Sequence, residues 1–143
     1  MNLERAIEIA ASAHANQKDK AGAPYILHPL RVMFKVESDI ERMAAVMHDV
    51  VEDSEWTLER LREEGFPDEV LHLVDCLTHR DGESYDDFIE RVCQHLPAVR
   101  VKLADIEDNL DIRRINELKS SDLTRIEKYH RARKRLKEII GRT

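Results

Sequence analysis

The densest chemistry in the sequence is the hexapeptide His48-Asp49-Val50-Val51-Glu52-Asp53. Carried on a helix, His48 and Glu52 lie four residues apart and share a face, as do Asp49 and Asp53. Two turns then present one imidazole and three carboxylates at the end of a largely apolar stretch, Met43 to Val51. Carboxylates crowded away from water are costly, and a divalent cation would neutralise them. An exposed acidic helix end accounts well for Glu52 and Asp53. It accounts poorly for His48-Asp49, which sit between Met47 and Val50.

Matching ligands occur elsewhere. His28 stands among apolar neighbours in Tyr25-Ile26-Leu27-His28-Pro29, where a lone imidazole is equally a satisfied core histidine. Asp105 ends Val101-Lys102-Leu103-Ala104-Asp105 on the apolar side of its helix, where alone it is a cap or a partner of Lys102. Two His and two Asp, with positions left for water, suit Mn²⁺, Fe²⁺, Zn²⁺ or Mg²⁺, and the carboxylate share favours Mn²⁺.

Helices must position these residues, and helical periodicity dominates the chain. Leu3, Ala6, Ile7, Ala10 and Ala13 form one stripe over residues 2–16, and the segment from Lys18 to Pro24 breaks it. A short helix follows Pro29 to about Val36. Asp39 is a candidate cap for the next, which runs through Met43, Ala44, Met47 and Val50. Thr57 caps a helix ending near Gly65, and Pro67 starts one through Val70 and Val74. Ser84 opens a helix with Phe88 and Val92, Pro97 precedes one carrying Asp105, and Ser121-Asp122 caps the last. No region alternates apolar and polar residues long enough for a strand. The expectation is one compact all-α domain over residues 1–143, with about seven to nine helices.

Composition agrees. A length of 143 residues fits one domain, and four Gly and four Pro argue against a turn-rich all-β fold. Aromatic residues are only 5% and the net charge is −6, which disfavours a nucleic-acid polymer as partner. The charge is uneven: residues 1–112 hold 12 Lys/Arg and 25 Asp/Glu, whereas residues 113–143 hold 11 and 4. The C-terminal excess is either a solvated basic helix face or a positive wall for an anionic substrate. Cys76 and Cys93 form no motif and are expected as buried thiols of a reducing compartment. With no signal-peptide pattern and no apolar run of membrane-spanning length, the expectation is a cytoplasmic protein without a membrane partner. A homo-oligomer is compatible with the sequence.

The order His28, His48-Asp49, Asp105 resembles the H…HD…D signature of the HD phosphohydrolase superfamily. Gln17 to Tyr25 followed by Ile26-Leu27-His28-Pro29 is similar to the GQxRKxGxPYxxHP segment of (p)ppGpp hydrolases. His48 to Asp53 resembles their HDxxED, and Val101 to Asp105 with Asn109 their KLADxxxN. The resemblance runs from His14 to the last helix and points to small alarmone hydrolases of the SpoT/RelA hydrolase type, an HD-type helical bundle.

That resemblance implies roles. His28, His48, Asp49 and Asp105 would hold one Mn²⁺. Glu52 and Asp53 would position and deprotonate the attacking water. Asn109 would contact the nucleotide sugar or hold the site, and Lys20 would face the substrate. The implied reaction is hydrolysis of a 3′-pyrophosphate on an anionic nucleotide. Two departures bear on the base. Asp19 stands where the family carries a guanine-stacking Arg, and Ile106 and Asp111 occupy positions that are usually basic. Arg80, Arg113 and Arg114 are candidate replacement phosphate contacts, or ordinary surface charge. An HD nucleotidase or phosphatase acting on another nucleotide, or a non-catalytic nucleotide sensor, is the competing expectation.

Overall fold

A computed structural model describes residues 1–141, and among them nine α-helices and one 3₁₀ turn account for the regular structure, with no strand beyond an isolated bridge. The helices are α1 (Leu3–Ala13), α2 (Leu27–Phe34), α3 (Asp39–Val46), α4 (Val50–Asp53), α5 (Leu58–Glu63), α6 (Asp68–Cys76), α7 (Tyr85–Val92), α8 (Leu96–Asn109) and α9 (Ser120–Gly141). The all-α expectation and the helix count hold.

α3 is the hub and packs against α1, α2, α6 and α8. Its Ala44, Ala45 and Val46 are fully buried, small enough to admit close neighbours on several sides. Ala6 and Ala10 of α1, Val70 and Val74 of α6, and Val99 and Val101 of α8 complete the core with it. α9 lies across α7 and α8 and buries Ala132 and Leu136.

Local signals mostly act as anticipated. Thr57 and Ser84 accept from the backbone N–H groups of Arg60 and Asp87, and Gly65 takes φ +96° where α5 ends. Ser38, not Asp39, caps α3: its hydroxyl accepts from Glu41 N–H and donates back to the Glu41 carboxylate at 2.7 Å. Ser121 lies inside α9, whose first turn is tied by Asp122 Oδ2 accepting from Lys119 N–H. Cys93 is buried, but Cys76 is only half buried, and neither forms a disulfide among the described residues.

The main departure falls at the hexapeptide. It is not one helix, because α3 stops at Val46 and α4 begins at Val50. Met47, His48 and Asp49 form a turn in which His48 N–H and Val50 N–H bond three residues back, to Ala45 and Met47. The His48 ring also takes Ala45 O, through Nδ1 at 2.6 Å, so the side chain competes for a carbonyl that α3 would otherwise use.

Candidate metal-dependent active site

The broken turn brings His48 and Asp49 to the His28 end of α2 and the middle of α8. His28 and His48 are almost fully buried. Ligand atoms of His28, His48 and Asp49 all lie within 4.8 Å of one another. Asp105 Oδ1 joins them, 2.8 Å from His28 Nε2 and 3.4 Å from His48 Nε2. Asp49 Oδ2 is 3.1 Å from His48 Nε2 and also accepts a hydrogen bond from the Tyr25 hydroxyl. All four candidate ligands are therefore brought together.

The hydrogen bonds fix which ring nitrogen points inward. His48 Nδ1 faces a carbonyl oxygen, so it carries the proton. His28 Nδ1 lies 2.7 Å from Asp108 Oδ2, a carboxylate also held by Arg31 at 2.7 and 3.1 Å, so it too donates. Both Nε2 lone pairs then face carboxylate oxygens, acceptor against acceptor. Either both rings take a second proton, or a cation sits among them. Burial alone would keep the rings neutral, yet Asp105 and Asp108 raise His28, and Asp49 and Asp105 raise His48 well above the ordinary imidazole range. Adjacent ligands of an ion with bonds of ~2.1 Å lie roughly 3 Å apart, the spacing found here. The donor set fits a divalent ion.

Asp105 Oδ2 is occupied by the buried Lys102 ammonium at 2.8 Å, and Asn109 Nδ2 donates to Asp105 Oδ1 at 3.2 Å. Burial opposes the charge on Asp105, but Lys102 and the imidazoles overcome it and hold the carboxyl far below its usual range. Asp108 plays a supporting part that sequence reasoning missed. The signal was available: Asp108 follows Asp105 by three on α8, and Arg31 follows His28 by three on α2.

Glu52 and Asp53 stand one turn beyond the ligands on α4, at the exposed edge of the cluster. Glu52 Oε1 accepts the His79 backbone N–H, which fixes one oxygen. Burial raises the Glu52 carboxyl above its ordinary value, and burial with the Asp49 charge does the same for Asp53. Gln17 Nε2 clamps the Asp53 carbonyl at 3.1 Å, with its own oxygen accepting from His14 Nδ1 at 2.9 Å.

A cavity of about 480 Å³ opens beside His28. Lys20 and Asn109 line it as expected. Arg31, Arg114, Arg125 and Tyr129 also line it, and of these only Arg114 is anticipated by the sequence. Arg113 does not: its guanidinium is turned to solvent and bound to Asp111 at 2.8 Å. Arg80 is likewise absent from the wall and pairs with Asp75 at 3.3 Å. Asp19 acts locally, its Oδ1 accepting from Ala21 and Ala23 N–H, both at 2.9 Å, and so shapes the loop before Tyr25.

A family model described as "HD domain" matches residues 6–86. The chain is 39% identical over 121 residues to a probable GTP pyrophosphokinase of Mycobacterium leprae, covering 76% of this chain and 15% of that protein. It is 34% identical over 120 residues to a guanosine-3′,5′-bis(diphosphate) 3′-pyrophosphohydrolase of Aquifex aeolicus, covering 76% of this chain and 17% of that one. The chain thus spans less than a fifth of the length of these relatives. A solved structure, described as a metazoan ortholog of SpoT that hydrolyses ppGpp, superposes with a TM-score of 0.71 at 24% identity, covering 98% of this chain and 94% of that chain. That likeness establishes the fold.

Proposed function

The chain belongs to the HD-domain family, and from that premise we propose that it is a Mn²⁺-dependent phosphohydrolase removing the 3′-pyrophosphate from (p)ppGpp-like nucleotides. The observation that carries the proposal is the pair of inward Nε2 lone pairs converging with Asp49 and Asp105, one turn from two carboxylates of raised pKa. The names of the M. leprae and A. aeolicus relatives support the choice of substrate.

When bound, a divalent ion at His28, His48, Asp49 and Asp105 would polarise a phosphoryl oxygen and acidify water. This chain's own residues do the rest. Glu52 keeps Oε2 for the proton of the attacking water, because Oε1 is taken by His79 N–H, and burial makes it a stronger base than an exposed glutamate. Asp53, clamped through its carbonyl by Gln17, orients the same water. Lys102 holds Asp105 ionised, and Tyr25 holds Asp49 in place. Lys20, Arg31, Arg114 and Arg125 offset the substrate's negative charge along the cavity.

Asp19 supports loose base selection. Its carboxylate is spent on the loop backbone and offers no cation to a purine ring. Adenine and guanine substrates are therefore both expected.

The test is turnover with Mn²⁺, Mg²⁺ or Zn²⁺ on ppGpp, ppApp, NADPH and simple nucleotides, with pyrophosphate and phosphate measured separately. Release of pyrophosphate from ppGpp or ppApp, abolished by chelator and restored best by Mn²⁺, is the expected result. Release of orthophosphate from ordinary nucleotides alone would replace the proposal with an HD nucleotidase.

A further inference from the structure

The proposed reaction leaves without a role two groups near Lys102, the partner of Asp105. The first is Lys128 on α9. Its ammonium lies 4.5 Å from the centre of the Tyr85 ring and 5.0 Å from that of Tyr129. It is half buried, and among the described residues no carboxylate comes within ion-pairing distance of it. The described arginines of α9 all pair, Arg125 with Asp122, Arg131 with Asp86, Arg133 with Glu107 and Arg135 with Glu90, whereas Lys134 and Lys137 are simply exposed to water. The second group is the Tyr85 hydroxyl, which is buried and has no hydrogen-bond partner among the described residues. A buried hydroxyl in that state costs stability unless a ligand meets it.

Position ties the two groups to the site. Lys102, whose ammonium is 2.8 Å from Asp105 Oδ2, interacts electrostatically with both Tyr85 and Lys128. Tyr129, whose ring touches the Lys128 ammonium, lines the 480 Å³ cavity with Lys20 and Arg125. Burial pushes the Lys128 ammonium down, and the charges of Lys102, Arg125 and Lys20 push it further. A cation held among cations, without a counter-charge, is stabilised by an incoming anion. An ammonium and a hydroxyl are both donors, and a tetrahedral phosphoryl group offers them matching acceptors.

We infer that Lys128 and the Tyr85 hydroxyl form a phosphoryl-binding contact that selects a diphosphate over a monophosphate at the metal centre. The inference rests on the pyrophosphohydrolase reading and deepens it. One phosphoryl group of the substrate must sit at His28, His48, Asp49 and Asp105 to be attacked. A monophosphate there leaves Lys128 uncompensated, whereas a diphosphate brings a second phosphoryl group to it. The contact thereby holds the distal phosphoryl group while water bonds to the attacked phosphorus, the bond from that phosphorus to the ribose 3′ oxygen breaks, and the nucleotide departs with a proton on that oxygen, leaving pyrophosphate as the second product.

Isothermal titration of inorganic pyrophosphate and orthophosphate, in Mg²⁺ buffer, tests this directly. Five proteins are compared: wild type, Lys128→Gln, Lys128→Arg, Tyr85→Phe and Lys134→Gln. Lys134 is an exposed cation of the same helix and serves as the control. Tyr85→Phe removes only the hydroxyl, so it preserves the ring packing. The wild type should bind pyrophosphate at least ~10-fold more tightly than orthophosphate, about the effect of one charge-assisted hydrogen bond. Lys128→Gln and Tyr85→Phe should each bring the two affinities within ~3-fold, chiefly by weakening pyrophosphate, while Lys128→Arg and Lys134→Gln keep the preference. A wild type without the preference, or a Lys128→Gln protein that retains it, overturns the inference. The preference lost in the variants while no 3′-pyrophosphorylated nucleotide is cleaved by the wild type would overturn the substrate proposal and leave this contact standing. Cleavage with an unchanged ratio in the variants would do the reverse.

Discussion

Substituting Asp108 by Asn probes the site without touching a ligand. Asp108 accepts from His28 Nδ1 at 2.7 Å and from Arg31 at 2.7 and 3.1 Å, and it is 2% exposed. The amide of Asn keeps one acceptor oxygen for two donors. With that oxygen on His28, the amide NH₂ faces the Arg31 guanidinium, donor against donor. With it on Arg31, the NH₂ faces His28 Nδ1 and drives the ring proton to Nε2, where it blocks metal binding. The first orientation prevails, and the charge-assisted bond to His28 becomes a neutral one of roughly half the strength. A weaker bond of this kind behind a metal-binding histidine costs about 10- to 100-fold in metal affinity, or ~1.4–2.7 kcal/mol. Calorimetric titration of metal-free protein with Mn²⁺ measures the effect directly. Turnover at saturating Mn²⁺ should change much less than the affinity does. An Asp108→Asn protein of native circular dichroism that binds Mn²⁺ within twofold of wild type would refute the argument that the Asp108 charge strengthens His28 as a ligand.

Glu52→Gln and Asp53→Asn should retain the fold and Mn²⁺ binding yet lose turnover by ~10²–10⁴-fold, the scale of a general base, as read by single-turnover kinetics. Asp19→Ala should raise KM and lower the melting temperature by removing two backbone hydrogen bonds worth ~1–2 kcal/mol together, whereas Asp19→Asn keeps Oδ1 and stays near wild type in both assays. Arg91 holds the Glu83 carboxyl down to about 2, from an ordinary value near 4.5. The depressed value means that Glu83 stabilises the fold above the ordinary carboxylate range and loses that contribution as pH falls from ~5 towards 2. Urea unfolding of Glu83→Gln should accordingly show a shallower loss of stability over that window than wild type.

Much of the site was legible because its ligands sit in short, dense segments. His28 and Asp105 look ordinary alone, and the order of the segments made them informative. The helix break at Met47–Asp49 was not legible. Periodicity through Met43, Met47 and Val50 continues smoothly, and only the His48 ring's hold on Ala45 O shows why the backbone departs from it. Asp39 and Ser38 are both good caps by type, and the reciprocal bond between Ser38 and Glu41 decides between them. Arg113 and Arg114 are neighbours of identical chemistry. Which one reaches the cavity depends on Asp111 capturing Arg113 and on Asp108 O accepting from Arg114, contacts that no local pattern encodes.

The uneven charge of the chain gains its meaning from α9. That helix brings Arg125 of the basic segment, 11 Lys/Arg against 4 Asp/Glu over residues 113–143, to the cavity beside His28, and Lys128 to the neighbourhood of Lys102, the partner of Asp105. A polyanion approaching bare carboxylates would be repelled, and an isolated basic cleft would bind any anion. Placing cations on one element and the proposed metal-binding carboxylates on others would separate the two roles. α9 and the loop before Tyr25 carry the cations, while Asp49 and Asp105 face inward, each held by its own partner, Tyr25 or Lys102. Since Lys128 interacts with Lys102, which holds Asp105, substitutions at Lys128 should couple to those at Lys102, whereas changes at the exposed Lys134 should add independently.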